Sequence, residues 1–198
     1  NSNTTTVKNI LNSPTDYGTN IGPGQYIQGH TYTGTGGTAL SDWTPALPGA
    51  PYFSSGDVEP YTDVLVIRRA DSSGFTVTLP LMTTTAAALQ ISTGSGLKVG
   101  DIVLVSDCTN ADLFQITGPT DPSTSGALNH NSGAGTPGNA APADLSKKYG
   151  TDAQLMKIIT RVYYIGKRGG SAATDPPSLF RKELTTSAAV STQELVEG

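Results

Sequence analysis

Short runs of β-branched and aromatic residues, each bounded by turn formers, restrict this chain to a strand-rich fold. Residues 62–70, TDVLVIRRA, form a continuous apolar run that is typical of a strand buried on both faces. Residues 74–80, GFTVTLP, alternate Phe75, Val77 and Leu79 with threonine, as a half-buried strand does. Because only the turn formers ADSSG separate the two runs, we expect them to pair as a hairpin.

Two more hairpins are predicted downstream. Residues 97–107 and 111–118 are strand-like runs with a short connection, and they form the second hairpin. Residues 153–167 become rich in β-branched and aromatic side chains, and they pair with 178–185 in the third. The run 192–198, TQELVEG, looks like the start of a further strand.

The other segments carry turn signals instead of a periodic pattern. Residues 1–60 are polar, but large aromatic residues recur in them, so we expect an irregular segment that lies on a core. Residues 119–149 form a connection too long for most compact domains, which is either functional, badly ordered or packed against the sheet. The aromatic residues of the first segment are Tyr17, Tyr26, Tyr32, Trp43, Tyr52 and Phe53.

Helix is limited to two modest candidates, residues 83–91 and 143–150. The chain therefore belongs to the mainly β class, with antiparallel hairpins in one or two sheets, long irregular loops and little helix. Its 198 residues suit a single domain. The sections of that domain are 1–60, 61–118, 119–149 and 150–198.

The charge balance excludes one large class of partner. The chain has 12 Lys and Arg against 16 Asp and Glu, a net charge of -4, so it offers no basic field to nucleic acid or to an anionic membrane. No run of about 18 apolar residues exists that would span a bilayer. The first residues lack the pattern of a signal peptide, and we expect both ends to be truncated.

Few groups in the sequence could carry catalysis or hold a cofactor. Residues 94–100, GSGLKVG, resemble a phosphate-binding loop, but they lead into a strand, so we interpret them as a turn. His30 and His130 lie in separate Gly-rich segments, and no signature of a cysteine enzyme surrounds Cys108. We therefore expect no catalytic residue and no cofactor-binding residue.

Acidic residues offer one candidate metal site. Asp57, Glu59 and Asp63 are close in sequence and have the oxygen ligands that calcium prefers. Their spacing differs from that of an EF-hand loop, so we interpret them as solvated loop acids and expect no metal.

Basic and aromatic residues have structural interpretations. Arg68 and Arg69 are neighbours in a strand, so we expect their side chains on opposite faces. Tyr163 and Tyr164 are expected to pack in a core. A basic cluster at the third turn is expected to keep a strand edge soluble. Its members are Lys167, Arg168, Arg181 and Lys182.

Six blocks of the sequence carry a resemblance, and they cover most of the chain from 61 to 198. In order they are YTDVLVIRRAD, LKVGDIVLVSDCTNADLFQITG, LNHNSGAGTPGN, LSKKYGTDAQLMK, RVYYIGKRGG with PSLFRKEL, and QELVEG. In this order and at these spacings the chain resembles the PilW-type minor pilins of bacterial type IV pili.

The resemblance implies a non-enzymatic structural subunit. An α+β pilin of this kind would have an N-terminal hydrophobic helix, its only contact with the membrane, which is missing here. Its globular domain would join other minor pilins, the major pilin and a pilus-tip adhesin in a complex that primes pilus assembly. The implied location is the bacterial inner membrane, the periplasm and the pilus fibre, where pili support adhesion and twitching motility.

Three alternatives remain open at this point. A minor pseudopilin of type II secretion shares the general plan. A β-rich adhesin or carbohydrate-binding module would use Trp43 and the tyrosines as a sugar platform. A hydrolase that uses Cys108 or His130 is the third alternative.

Cys108 is the single cysteine of the chain. A pilin enters an oxidising periplasm, where structural disulfides are common. The resemblance therefore implies that Cys108 is half of a disulfide whose partner lies outside this chain, either in a removed segment or in another polypeptide.

Overall fold

The structure is a computed structural model that describes residues 7–13, 18, 20, 24–168, 176–184 and 190–196. The chain is mainly β with little helix, as the sequence predicts. Its strands are β1 (Val7–Asn9), β2 (Ile27–Tyr32), β3 (Trp43–Thr44), β4 (Val64–Thr76), β5 (Leu89–Gln90), β6 (Ile102–Ser106), β7 (Ala111–Gln115), β8 (Ala127–Leu128), β9 (Gln154–Gly166), β10 (Ser178–Leu184) and β11 (Val190–Val196).

The chain divides into two compact units. Unit 1 comprises Asn1–Asp16 and Ala70–Ile158, and unit 2 comprises Tyr17–Arg69 and Ile159–Gly198. The long strands β4 and β9 therefore contribute residues to both units. That the chain folds as a single domain stays a prediction.

In unit 1 the strand order is β1-β7-β6-β9, and a separate small sheet pairs β5 with β8. The second predicted hairpin is confirmed, because β6 pairs antiparallel with β7 across 107–110. The contact of β1 with β7 is parallel, so the sheet is mixed. Apolar residues of several segments fill the core of this unit, among them Leu89, Val103, Phe114, Leu128 and Leu155.

In unit 2, β10 pairs antiparallel with both β9 and β11, which confirms the third hairpin and the further strand. Strand β2 pairs antiparallel with β4, the other long strand, and β3 pairs antiparallel with β2. The core consists of aromatic and β-branched residues, among them Trp43, Phe53, Val66, Tyr164 and Phe180.

The prediction of a first hairpin is wrong. Residues 64–76 form the one continuous strand β4, and the ADSSG segment stays extended inside it. Strand β4 neighbours β9 in the strand order, and a Cβ added at Gly74 would lie 3.5 Å from the Gln154 side chain. Strand pairing therefore overrides the local turn preference of Ser and Gly, which also permit extended backbone.

The two helix candidates are wrong as well. Segment 83–91 contains turns and the short strand β5, and segment 143–150 is non-helical. The α-helix in the described part of the chain is α1 (Pro122–Ser125), and a 3-10 turn covers Leu40–Asp42. In the described residues, no helix is both long and apolar enough to cross a membrane.

The first segment, 1–60, is less irregular than predicted, because it supplies β1, β2 and β3. Its aromatic side chains do reach a core: Trp43 and Phe53 are buried in unit 2, and Tyr32 and Tyr52 pack against them. Tyr26 is 50% exposed, and Tyr17 lies outside the described residues.

The long connection 119–149 is packed, which is one of the three alternatives that the sequence left open. The Gln115 backbone N–H donates to Asn139 Oδ1 at 2.8 Å, and Asn139 Nδ2 donates back to the Gln115 carbonyl at 2.8 Å. Both side chains are buried, and Leu145 and Tyr149 enter the core of unit 1. The connection is thus fixed to β7 by paired buried polar groups.

Candidate interaction surface

Cys108 lies exposed in the connection between β6 and β7, with a left-handed backbone φ of 68°. Asp107 holds this connection, because its Oδ1 accepts hydrogen bonds from the Thr109 and Asn110 backbone N–H groups at 3.0 and 2.9 Å. Lys147 forms an ion pair with the same carboxylate. The hydrogen bond from Lys147, with those from Asn110 and Thr109, holds the pKa of Asp107 well below its usual range.

The two histidines are buried in different units and make main-chain contacts. In unit 1, His130 Nδ1 lies 2.7 Å from the Ala143 carbonyl oxygen and Nε2 lies 3.0 Å from that of Ala87. In unit 2, His30 Nδ1 lies 2.6 Å from the Pro45 carbonyl oxygen. These contacts give both rings a packing role.

The three acids of the candidate calcium site have separate partners. Asp57 pairs with Lys182 at 2.8 Å, Glu59 pairs with Lys167 at 3.4 Å, and Asp63 Oδ1 accepts from the Tyr32 backbone N–H at 3.1 Å. Within the described ranges, no group of three His, Cys, Asp or Glu side chains is placed to hold a metal ion.

The interpretation of Lys182 as a solubilising residue is wrong. Its side chain is buried, its ammonium lies 4.3 Å from the ring centroid of Phe53, and it donates to the Tyr52 carbonyl oxygen at 2.7 Å. Lys182 lies two residues from Phe180 on β10, so both side chains face the core of unit 2, where Asp57 compensates the charge of the lysine. Lys167 and Arg168 do form surface pairs, with Glu59 and Glu194.

The prediction of a sugar platform is also wrong for its central residue, Trp43. Trp43 is 2% exposed, and its Nε1 donates to the Thr62 carbonyl oxygen at 2.9 Å.

Arg68 and Arg69 lie on opposite faces as predicted, since Arg68 is buried and Arg69 is exposed. The prediction that Tyr163 and Tyr164 both pack in a core is confirmed for Tyr164 and wrong for Tyr163, because neighbouring side chains of a strand point to opposite faces.

One face of the unit 2 strands presents apolar residues to solvent, and we call it the open face. Its members alternate with core residues along each strand, and cross-strand pairing places Ile27 beside Ile67 and Leu179 beside Ile165. Ile27 is 67% exposed and Leu65 is 41% exposed. The members of the open face are Ile27, Gly29, Leu65, Ile67, Tyr163, Ile165, Leu179 and Val196.

A shallow depression of about 400 Å³ lies in the open face. Leu65, Tyr163, Ile165 and Leu179 line it with apolar atoms, and Asp63 also lines it. Gly29 leaves room there, because a Cβ added at this position would meet nothing within 4 Å. A concave apolar patch on a protein surface is typical of a binding surface.

The sequence contained a partial signal for this surface. The prediction that the run 62–70 is buried on both faces is wrong, because its alternate residues Leu65, Ile67 and Arg69 are half-buried or exposed. A strand that is apolar on both faces has two surfaces to cover. The sequence does not show whether the second face packs in the protein's own core or against a partner.

Comparisons with protein-family models, with curated proteins and with solved structures gave no match to this chain.

Proposed function

We propose that this chain is the globular part of a PilW-type minor pilin, a non-enzymatic subunit that acts by binding other pilus subunits. The six sequence blocks that resemble this family support the proposal, and so does the strand-rich fold. The partners in this proposal are other minor pilins, the major pilin and a pilus-tip adhesin, at the inner membrane, in the periplasm and in the fibre.

The observation that carries the proposal is the open face of unit 2. Burial of apolar surface is favourable by about 25 cal/mol per Å². This free energy is not gained while Ile27 and Leu65 remain exposed to water. A partner that covers the open face recovers this free energy, and subunit assembly is a direct way to cover an apolar sheet face. The depression gives a partner side chain a fixed place to insert.

The proposal is tested by mixing the purified chain with each minor pilin and with the major pilin of its own organism. Size-exclusion chromatography with light scattering measures the mass of the product. We expect a complex of defined stoichiometry with at least one minor pilin. A chain that stays monomeric with all of them contradicts the proposal.

A blocking variant connects such a complex to the open face. Gly29→Leu places a side chain at the depression without backbone strain, because the position has an ordinary strand backbone and an added Cβ meets nothing within 4 Å. We expect this variant to fold and to bind the pilin at least tenfold more weakly. Gly49→Leu is the matched control, because a Cβ there also meets nothing within 4 Å. Equal binding by the two variants places the interface elsewhere.

A further inference from the structure

Tyr61 combines two unusual properties. Its backbone is left-handed, with φ at 64°, a conformation that bulky residues rarely adopt. Its side chain is 72% exposed, so burial of the ring does not explain why this residue occupies a strained position. Strained residues that the surrounding structure holds in place are concentrated at functional sites.

Several contacts in unit 2 hold Tyr61 in this conformation. The next residue, Thr62, is fixed on both sides: its Oγ1 donates to the Glu59 carbonyl oxygen at 2.7 Å, and its own carbonyl oxygen accepts from Trp43 Nε1. The Tyr61 and Tyr32 rings pack in a T-shaped arrangement, with the ring centroids 5.0 Å apart. The ring therefore has a fixed position, although most of its surface is in water.

The Gly-rich loop beside Tyr61 also leaves room for the ring. A Cβ on Gly36 would lie 3.1 Å from the Tyr61 hydroxyl, and Gly36 itself has φ at 108°. Tyr32 fixes this loop, because its hydroxyl accepts from the Gly36 N–H at 2.8 Å and donates to the Gly37 carbonyl oxygen at 2.9 Å. Tyr32 and the loop thus lie against part of Tyr61, and 72% of the residue remains exposed.

Asp63 supplies a negative charge close to Tyr61 in sequence. It lies two residues from Tyr61, and its Oδ1 accepts from the Tyr32 backbone N–H, so both residues contact Tyr32. Asp63 is exposed, and among the described residues its carboxylate forms no ion pair. The chain as a whole carries a net charge of -4, which attracts basic partners.

We propose that Tyr61 and Asp63 form a binding site for a cationic side chain, arginine or lysine, of a partner protein. The face of an aromatic ring attracts a cation, and the neighbouring carboxylate pairs with the same group. Arginine is enriched at protein interfaces, and its planar guanidinium group both stacks on tyrosine and pairs with a carboxylate. The identification of the partner protein as a pilus subunit rests on the function proposed above.

A peptide titration tests the site without any pilin. The probe is acetyl-Gly-Arg-Gly-amide, and the control peptide contains citrulline, a neutral analogue of arginine. Chemical shifts of the isotope-labelled chain are recorded by NMR during the titration. We expect saturable shifts at Tyr61, Asp63 and Tyr32 with the arginine peptide and at least fivefold smaller shifts with the citrulline peptide. Equal responses to both peptides, or none at these residues, overturn the proposal.

Two variants locate the interaction. Asp63→Asn removes the charge and keeps an oxygen acceptor for the Tyr32 N–H, and Tyr61→Gly removes the ring at a position where glycine is unstrained. We expect each variant to lose most of the response to the arginine peptide while retaining the wild-type spectrum elsewhere. Asp152→Asn, which removes an equal charge from an exposed position of unit 1, is the control. Loss of the response in the control too would mean that only net charge matters, and would overturn the site.

The result separates this site from the proposed function. If the arginine peptide binds at Tyr61 and no pilin forms a complex, the site stands and the pilin function fails. If a pilin binds equally to wild type and Tyr61→Gly, and the peptide gives no response, the site fails and the pilin function stands. A response at Tyr61 to neutral monosaccharides with none to the arginine peptide overturns the cationic ligand in favour of a glycan.

Discussion

The Tyr149 hydroxyl donates a hydrogen bond of 2.6 Å to the Asp112 carboxylate, and both side chains are buried in unit 1. The same carboxylate accepts from the Ser146 backbone N–H at 2.9 Å and from the Ser146 hydroxyl at 2.6 Å. Burial and the bond to Asp112 raise the pKa of Tyr149 well above its usual range, so the phenol remains a donor at physiological pH. These bonds join β7 to the end of the long connection.

We predict that Tyr149→Phe lowers the free energy of unfolding by about 1–2 kcal/mol, because it removes a charge-assisted hydrogen bond and leaves a buried oxygen with one donor fewer. Asp112→Ala is expected to cost more, about 3 kcal/mol, since three donors then lose their acceptor. Urea unfolding monitored by circular dichroism measures both. Tyr26→Phe, at a half-exposed position, is the control and should change the unfolding free energy by less than about 0.5 kcal/mol. Equal effects of Tyr149→Phe and Tyr26→Phe would contradict the role of this bond.

His30 predicts a dependence of stability on pH. Burial lowers its pKa below the ordinary 6.5, and the positive charge of Arg68 acts in the same direction, while the bond to Pro45 opposes them. In the window below 6.5 the unfolded chain therefore binds a proton that the folded chain does not. Stability from His30 is complete above 6.5 and is lost as the pH falls toward the folded pKa.

The urea midpoint at pH 7.5 and at pH 5.5 measures this effect. We expect the wild-type midpoint to fall on acidification and His30→Asn to show a smaller fall, whatever its midpoint at pH 7.5. An unchanged difference between the two pH values in His30→Asn would show that other groups cause the pH dependence. Asp107 adds a separate loss at lower pH, because its depressed pKa contributes stability that disappears as the pH falls below 3.8.

Lys182 contributes to stability through charge compensation inside the unit 2 core. We predict that Lys182→Met lowers the free energy of unfolding by about 2 kcal/mol, because Asp57 and the Tyr52 carbonyl oxygen lose a shared donor while the apolar stem is kept. Lys148→Met, at an exposed lysine of unit 1, is the control. Thermal denaturation of both variants measures this difference. If Lys182→Met is as stable as the control, the buried ion pair does not stabilise the fold.

Cys108 remains predicted to form a disulfide with a cysteine outside this chain. Its exposure makes the sulfur accessible to another polypeptide. Titration of thiols in the denatured protein, taken from an oxidising periplasm without reductant, should find none per chain. Reduction should then release one. A full equivalent of thiol before reduction would refute the disulfide.

The sequence predicts a strand pair correctly where both segments have a strand pattern and lie close together in the chain. Strands β6 and β7 are separated by the short segment 107–110, so pairing costs little chain entropy and the hairpin is visible in the sequence. The continuous strand β4 could not be predicted, because its turn formers are overridden by pairing with strands distant in sequence. Long-range pairs of this kind leave no local pattern.

The candidate surface shows the same limit. The acids, histidines and Lys182 were visible as residues, but their partners come from distant segments: Lys182 and Asp57 are 125 positions apart. The left-handed backbone at Tyr61 had no sequence signal, because the contacts around it come from distant residues: Tyr32 packs on its ring, and Trp43 bonds to the next residue, Thr62. Residue identity alone does not report backbone conformation.

The most direct test of the account is to place a charge on the open face and measure pilin binding. Ile27→Asp and Leu79→Asp change residues that are 67% and 74% exposed, one on the open face of unit 2 and one in unit 1. Both should fold, since neither position is buried. Isothermal titration calorimetry with the minor pilin that binds wild type should show at least a tenfold weaker affinity for Ile27→Asp, about 1.4 kcal/mol, and an unchanged affinity for Leu79→Asp. Wild-type affinity in Ile27→Asp would contradict the claim that the open face is where the partner binds.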